Sequence, residues 1–223
     1  MVKKASLTAV MIMLVGVPAT AQVQVDLIPY FGVYVPVADL AQVSIASGNQ
    51  TISVRAQQEW AFLFGGRVDV WLNPKWGVEA NLGYAFSDVR LAGESSNEDV
   101  CSQDASADCG AYVWLASAKA LYRIVPKPDS WYSIHLGAGF AIIGRGGKFF
   151  DADDSLGTTN VGAILGAGVD IAVSRMMGIA IDLEDYIYKY KYEVDIGGST
   201  LTSSDFWQND LALTVGLVIH LGQ

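Results

Sequence analysis

The stretch Asp210-Leu211-Ala212-Leu213-Thr214-Val215-Gly216-Leu217-Val218-Ile219-His220-Leu221 decides the fold. Leu211, Leu213, Val215, Leu217, Ile219 and Leu221 share one parity; Asp210, Ala212, Thr214, Gly216, Val218 and His220 share the other. A period of two belongs to a β-strand, whose successive side chains point to opposite faces. One face is bulky and apolar, and the other is small or polar.

The same alternation recurs upstream. It predicts strands at 23–35, 59–72, 76–88, 111–124, 131–144, 160–173, 178–192 and 207–221. In the third, Trp76, Val78, Ala80, Leu82, Tyr84 and Phe86 oppose Gly77, Glu79, Asn81, Gly83 and Ala85. In the fifth, Tyr132, Ile134, Leu136, Ala138, Phe140 and Ile142 oppose Ser133, His135, Gly137, Gly139 and Ala141. A soluble, lipocalin-like barrel would turn the bulky face inward to make its core. A polar face this rich in Gly and Ala instead suits a tight interior, with the bulky face toward lipid.

Composition agrees with a folded chain. Of 223 residues, 52% are hydrophobic and 17% charged, which excludes disorder. The formal net charge is -9 with no basic patch, so no nucleic-acid partner is expected. Lys3 and Lys4 precede an apolar run over 5–17, then Pro18 and Ala19-Thr20-Ala21. This is the pattern of a cleaved signal peptide over 1–21, with the barrel at 22–223; a retained anchor is the competing reading. No later stretch is long and apolar enough for a spanning helix.

Connections alternate between short (73–75, 125–130, 174–177) and long and polar (about 36–58, 89–110, 145–159, 193–206). Short periplasmic turns and long extracellular loops are the pattern of an outer-membrane barrel. Aromatic residues near strand ends suit interface girdles: Trp60, Trp71, Trp76, Tyr84, Phe86, Tyr112, Trp114, Tyr122, Trp131, Tyr132 and Trp207, some of which could face inward. The fold class is all-β, an eight-stranded antiparallel transmembrane β-barrel.

The chain resembles the small eight-stranded outer-membrane barrels of OmpA/OmpX type over its whole length after the signal peptide. The most specific piece is the last strand, where Thr214, Gly216, Ile219 and Leu221 look like the β-signal read by the barrel-assembly machinery. Family members often end in an aromatic residue, whereas this chain runs on to Gly222-Gln223. The resemblance implies a monomer in the outer membrane of a Gram-negative-type bacterium, reached by Sec export and in contact with its lipid. No peptidoglycan-binding domain is expected after the last strand.

Alternation turns twelve ionisable residues inward: Asp26, Arg67, Asp69, Glu79, Lys119, Arg123, His135, Asp170, Asp182, Glu184, Asp210 and His220. Charges in a narrow lumen must pair. They are expected to form a structural network that plugs the barrel; a gate or narrow ion path is the alternative. Ser133 lies two residues from His135 on one strand face, a spacing that rarely gives a nucleophile its base. No catalytic residue and no cofactor is assigned. Gly144-Arg145-Gly146-Gly147-Lys148 lacks the Ser/Thr ending of a phosphate-binding loop and is expected to be a flexible loop entrance.

The loops carry whatever recognition there is. Cys101 and Cys109 are expected to form a disulfide in an oxidising compartment. Asp151, Asp153 and Asp154 resemble a fragment of a calcium loop without its distal Glu, and simple solvation of an acidic surface competes with that reading. Tyr186, Tyr188, Tyr190 and Tyr192 share a strand face and are expected to form an upper girdle and a packed strand extension, a glycan-binding row being the alternative. The expected role is structural, adhesive or defensive through the loops. Narrow-channel or small-solute transport is the alternative, and a lipid-modifying enzyme comes third.

Overall fold

The computed structural model describes residues 23–38, 40–47, 50–93, 96–99, 109–124, 131–151, 159–190, 193–196, 199–202 and 206–221. Eight strands build the barrel: β1 (Gln24–Pro36), β4 (Ala61–Trp71), β5 (Trp76–Gly93), β7 (Gly110–Arg123), β8 (Tyr132–Gly146), β9 (Thr159–Ala172), β10 (Met177–Tyr190) and β13 (Phe206–Leu221). Each pairs antiparallel with its neighbour in the chain. The ring closes because β1 pairs both β4 and β13, and β5 pairs β7. Every barrel strand therefore has two partners, which removes the open edges that a membrane cannot satisfy.

The bulky face points out. Phe31, Phe62, Phe64, Leu82, Phe86, Phe140, Val161, Leu165, Leu183, Leu213 and Leu217 are exposed, while the alternate positions are buried or half-buried. This excludes the soluble, apolar-core barrel. Two short connections are closed by their own side chains. The Asn73 Oδ1 accepts from the Lys75 and Trp76 backbone N–H groups at 2.9 Å, and the Ser174 Oγ accepts from Met177 N–H at 3.0 Å. The connection at 125–130 lies outside the described residues.

The opposite end is more structured than its polar composition suggests. The first long connection contains a hairpin, β2 (Ala41–Ser47) and β3 (Gln50–Gln58). β3 runs on collinearly into β4, both lying along the long β5, with pairings Gln58↔Val89 and Phe62↔Phe86. The segment carries the same period of two, with Thr51, Ser53, Arg55 and Gln57 against Ile52, Val54 and Ala56, but its polar composition reads as a long connection. β6 (Ser96–Asp99) adds to β5, and β11 (Glu193–Ile196) pairs β12 (Ser199–Thr202). After β8, Gly147 adopts a φ of +115°, accessible to glycine at little cost, and a single turn α1 (Lys148–Asp151) follows. The Gly-rich segment is thus strand as far as Gly146, not a flexible entrance.

Two girdle assignments are corrected. Trp71 is buried inside, where the Arg123 guanidinium lies 3.6 Å from its ring centroid. Tyr186, Tyr188 and Tyr190 are also inside rather than in an upper girdle; Tyr192 lies outside the described residues. In both cases parity decides, since these aromatics share the phase of inward charges on their own strands.

Candidate functional site

Among the described residues, charge, burial and convergence meet in the lumen. From the turn end, the Asp26 Oδ1 meets His220 Nδ1 at 2.6 Å and accepts from the Gln24 amide at 2.9 Å. The side chains of His220 and Asp170 are 16% and 21% exposed, so solvent reaches this end. His135 stands between two carboxylates, with Nε2 3.0 Å from Asp182 Oδ1 and Nδ1 3.4 Å from Asp170 Oδ2. The Ser133 hydroxyl donates to that same Asp170 Oδ2 at 3.1 Å. The hydroxyl is thus held by an acid rather than by the imidazole, and it lacks the base of a nucleophilic pair.

Above this, side chains reach across the bore. Arg67 on β4 contacts Asp182 on β10 at 2.8 Å and donates to the Thr214 hydroxyl on β13 at 2.5 Å. Lys119 on β7 meets Glu184 on β10 at 2.5 Å and its cross-strand neighbour Glu79 at 2.9 Å. The Tyr186 hydroxyl donates to Glu184 Oε2 at 2.8 Å, and Tyr30 donates to Asn81 Oδ1 at 2.8 Å. Tyr30 fits because Gly65 lies against it: a Cβ there would fall 2.3 Å from its hydroxyl oxygen. Asp69 is buried between its cross-strand neighbours Asp26 and Glu79.

An apolar belt of Leu63, Ala85, Leu115, Ala141, Ile143, Ile164 and Ala212 follows. Beyond it sits a second polar cluster. Arg145 on β8 and Asp210 on β13 pair at 2.8 Å with neither side chain exposed. Tyr34 on β1 and Tyr188 on β10 each donate to Asp210 Oδ2 at 2.6 Å. The Arg145 Nε donates to the side-chain Oε1 of Gln58 on β3 at 2.6 Å, and its Nη2 donates to the Tyr188 hydroxyl. Leu40 and Phe150 are buried beside this cluster and complete the apolar packing of the loop end.

All twelve inward charges assigned by alternation lie inside. Arg67, Glu79, Lys119, Asp182 and Glu184 come together in one network, joined through Asp182 to His135 and Asp170. Asp26 with His220, and Arg123 with Trp71, stand nearer the turn end. Asp210 belongs to the other cluster. Sequence reading missed Arg145, Gln58 and Tyr34, and placed Asn81 on the inward face without giving it a role. Arg145 was within reach: the inward series His135, Gly137, Gly139, Ala141 leads to Ile143 and Arg145 in two more steps. Of the calcium-loop fragment, Asp151 closes α1, while Asp153 and Asp154 lie outside the described residues. Cys109 sits just before β7, its carbonyl accepting from Val89 N–H at 3.1 Å, and Cys101 lies outside the described residues. Thr214, Gly216, Ile219 and Leu221 all lie on β13, the first two inward and the last two outward.

No curated protein matches the chain. Among solved structures, the crystal structure of the outer membrane protein OprG from Pseudomonas aeruginosa superposes with a TM-score of 0.65 at 11% identity, covering 91% of this chain and 98% of that one. The solid-state NMR structure of the outer membrane protein AlkL in DMPC lipid bilayers gives 0.61 at 11% identity, covering 91% and 92%. At that identity the likeness is one of fold. A family model described as the outer membrane protein beta-barrel domain matches residues 7–218, so the chain belongs to that family and its barrel resides in an outer membrane.

Proposed function

We propose that this protein is a closed outer-membrane barrel that works through its loop end, as an adhesive, defensive or membrane-stabilising element. The observation that carries this reading is the Arg145 cluster. Side chains from β1, β3, β8, β10 and β13 meet across the bore, and the central ion pair is wholly buried. Water and ions crossing the lumen would have to break that cluster and also wet the apolar belt below it. The same cluster ties Gln58 of the first-loop hairpin to the barrel wall, so the filled lumen supports what the loops present. In this reading the β-signal residues Thr214, Gly216, Ile219 and Leu221 serve assembly, and a Cys101–Cys109 bridge pins the second loop. No chemical step is assigned to the lumen.

The test is conductance of the refolded barrel in a planar bilayer, with folding checked by heat-modifiable migration. A silent bilayer is expected. Discrete steps from the unaltered chain would overturn the closed reading in favour of a narrow channel. The turn-end network, charged and reached by solvent at Asp170 and His220, is the feature that would favour that second reading.

A further inference from the structure

Among the described residues, the lipid-facing wall is interrupted by a polar group where β10 and β13 pair. On β10 the outward series is Ile179, Ile181, Leu183, Asp185, Ile187, Lys189, and on β13 it is Trp207, Asn209, Leu211, Leu213, Val215. Asp185 shares its outward parity with apolar neighbours, so it is not part of the lumen network. The Asn209 amide nitrogen donates to both its carboxylate oxygens at 3.2 Å. Above them, the exposed Lys189 ammonium lies 5.3 Å from the ring centroid of Trp207, itself 64% exposed. Lys189 and Trp207 are cross-strand neighbours at the loop-end rim.

One shared amide is little support for a carboxylate at the margin of hydrocarbon, where water is scarce and a buried charge needs further donors. The depth is informative. Asp185 lies four positions before Lys189; at about 3.3 Å per residue on a strand tilted about 40°, the carboxylate lies about 10 Å deeper. The wall therefore offers a cation at the headgroup level and an acceptor below it. A glycerophospholipid can put its phosphate on Lys189, but its ester linkages have no N–H or O–H to give Asp185. A phosphorylated glycolipid with amide-linked hydroxyacyl chains supplies both: phosphate above, then amide N–H and acyl O–H donors where its chains begin.

We propose that Lys189, Trp207, Asp185 and Asn209 form a docking site on the outer wall for a phosphorylated glycolipid of the lipid A type. Lys189 takes a phosphate, Trp207 lies along the sugar, and Asp185, oriented by Asn209, accepts from the acyl-linkage donors. The site rests on the barrel spanning an outer membrane with its loops outward, and not on whether the lumen conducts.

The experiment is lipid binding by native mass spectrometry of the refolded full chain in detergent, titrated with lipid A or with phosphatidylglycerol. The unaltered protein should hold lipid A more tightly. Lys189→Gln should weaken both lipids about tenfold, the scale of one charge-assisted contact. Asp185→Leu should weaken lipid A by a similar factor and leave phosphatidylglycerol unchanged. Asp185→Ala, which removes the acceptor without adding bulk, gives the same answer if the leucine variant fails to show heat-modifiable migration. Asp88→Asn, at the loop end of β5 and away from the site, should change neither lipid. Equal affinity of the unaltered chain for both lipids, or lipid A binding indifferent to Asp185, would overturn the proposal.

Discussion

The two polar regions of the lumen are built on opposite principles. At the turn end, Arg67 and Lys119 share Glu79 and Glu184, and Arg67 and His135 share Asp182. Glu184 also accepts from Tyr186 and Asn81. Loss of one member leaves others within reach of its partners. At the loop end, among the described residues, Arg145 has one carboxylate partner, Asp210, supported by the neutral hydroxyls of Tyr34 and Tyr188. A network shared among many groups is tolerant, whereas a lone buried pair is all-or-none, because an uncompensated charge in a dry interior is the costliest single defect a core can hold.

Arg145→Ala should break that contrast most severely. It strands Asp210 without a cation, and removing one member of a buried pair costs about 3–5 kcal/mol. Urea unfolding of the refolded barrel in vesicles would measure the loss. The double variant Arg145→Met with Asp210→Leu sharpens the comparison, since replacing both charges by apolar groups should recover most of the stability. A double variant no better than the single one would show that the phenol hydrogen bonds, not the ion pair, hold the loop end together.

Lys119→Met comes next. Glu79 and Glu184 lose their shared ammonium, but the Arg67 guanidinium stands 4.0 and 3.9 Å away and can move in. The expected loss is about 2 kcal/mol, within the range for an orphaned buried group with partial rescue. Adding Arg67→Met should then cost more than either change alone, a coupling that the same unfolding assay reads as non-additivity. Strict additivity would mean that the two cations do not share their acids.

Why the inner network was visible beforehand, and the outer cluster was not, follows from the pleat. In a strand, parity alone assigns a face, so Arg67, Asp69, Glu79 and Asp182 could be placed inside without any knowledge of their partners. Partners depend on which strands stand opposite across the bore, and closure sets that: Lys119 meets Glu184 65 residues away. Parity also fails where a strand is ended too early. Stopping the fifth strand at residue 144 left Arg145 in a loop, and treating 36–58 as loop hid the hairpin that brings Gln58 to the cluster. Trp71 was misassigned for a different reason: an aromatic residue at a strand end suits a girdle, but its phase matched Asp69 and Arg67. Phase was the better guide there, because a bilayer sets where aromatics are favourable while the pleat decides which way each one points.

Ser133→Ala is the smallest test and separates position within the network from membership in it. The hydroxyl donates to Asp170 Oδ2, which His135 Nδ1 also approaches at 3.4 Å. Asp170 lies at the solvent-reached mouth, so water can replace a lost donor there, as it cannot at Asp210. The expected loss is therefore below about 1 kcal/mol, the scale of one ordinary hydrogen bond. It should be smaller than for Tyr34→Phe, which removes the corresponding hydroxyl donor from Asp210 in the dry cluster. The pair of variants asks one question with one chemical change, a donor taken from a carboxylate. Equal losses in urea unfolding would mean that both ends of the lumen are equally dry, and that the difference between them lies in the number of ionic partners alone.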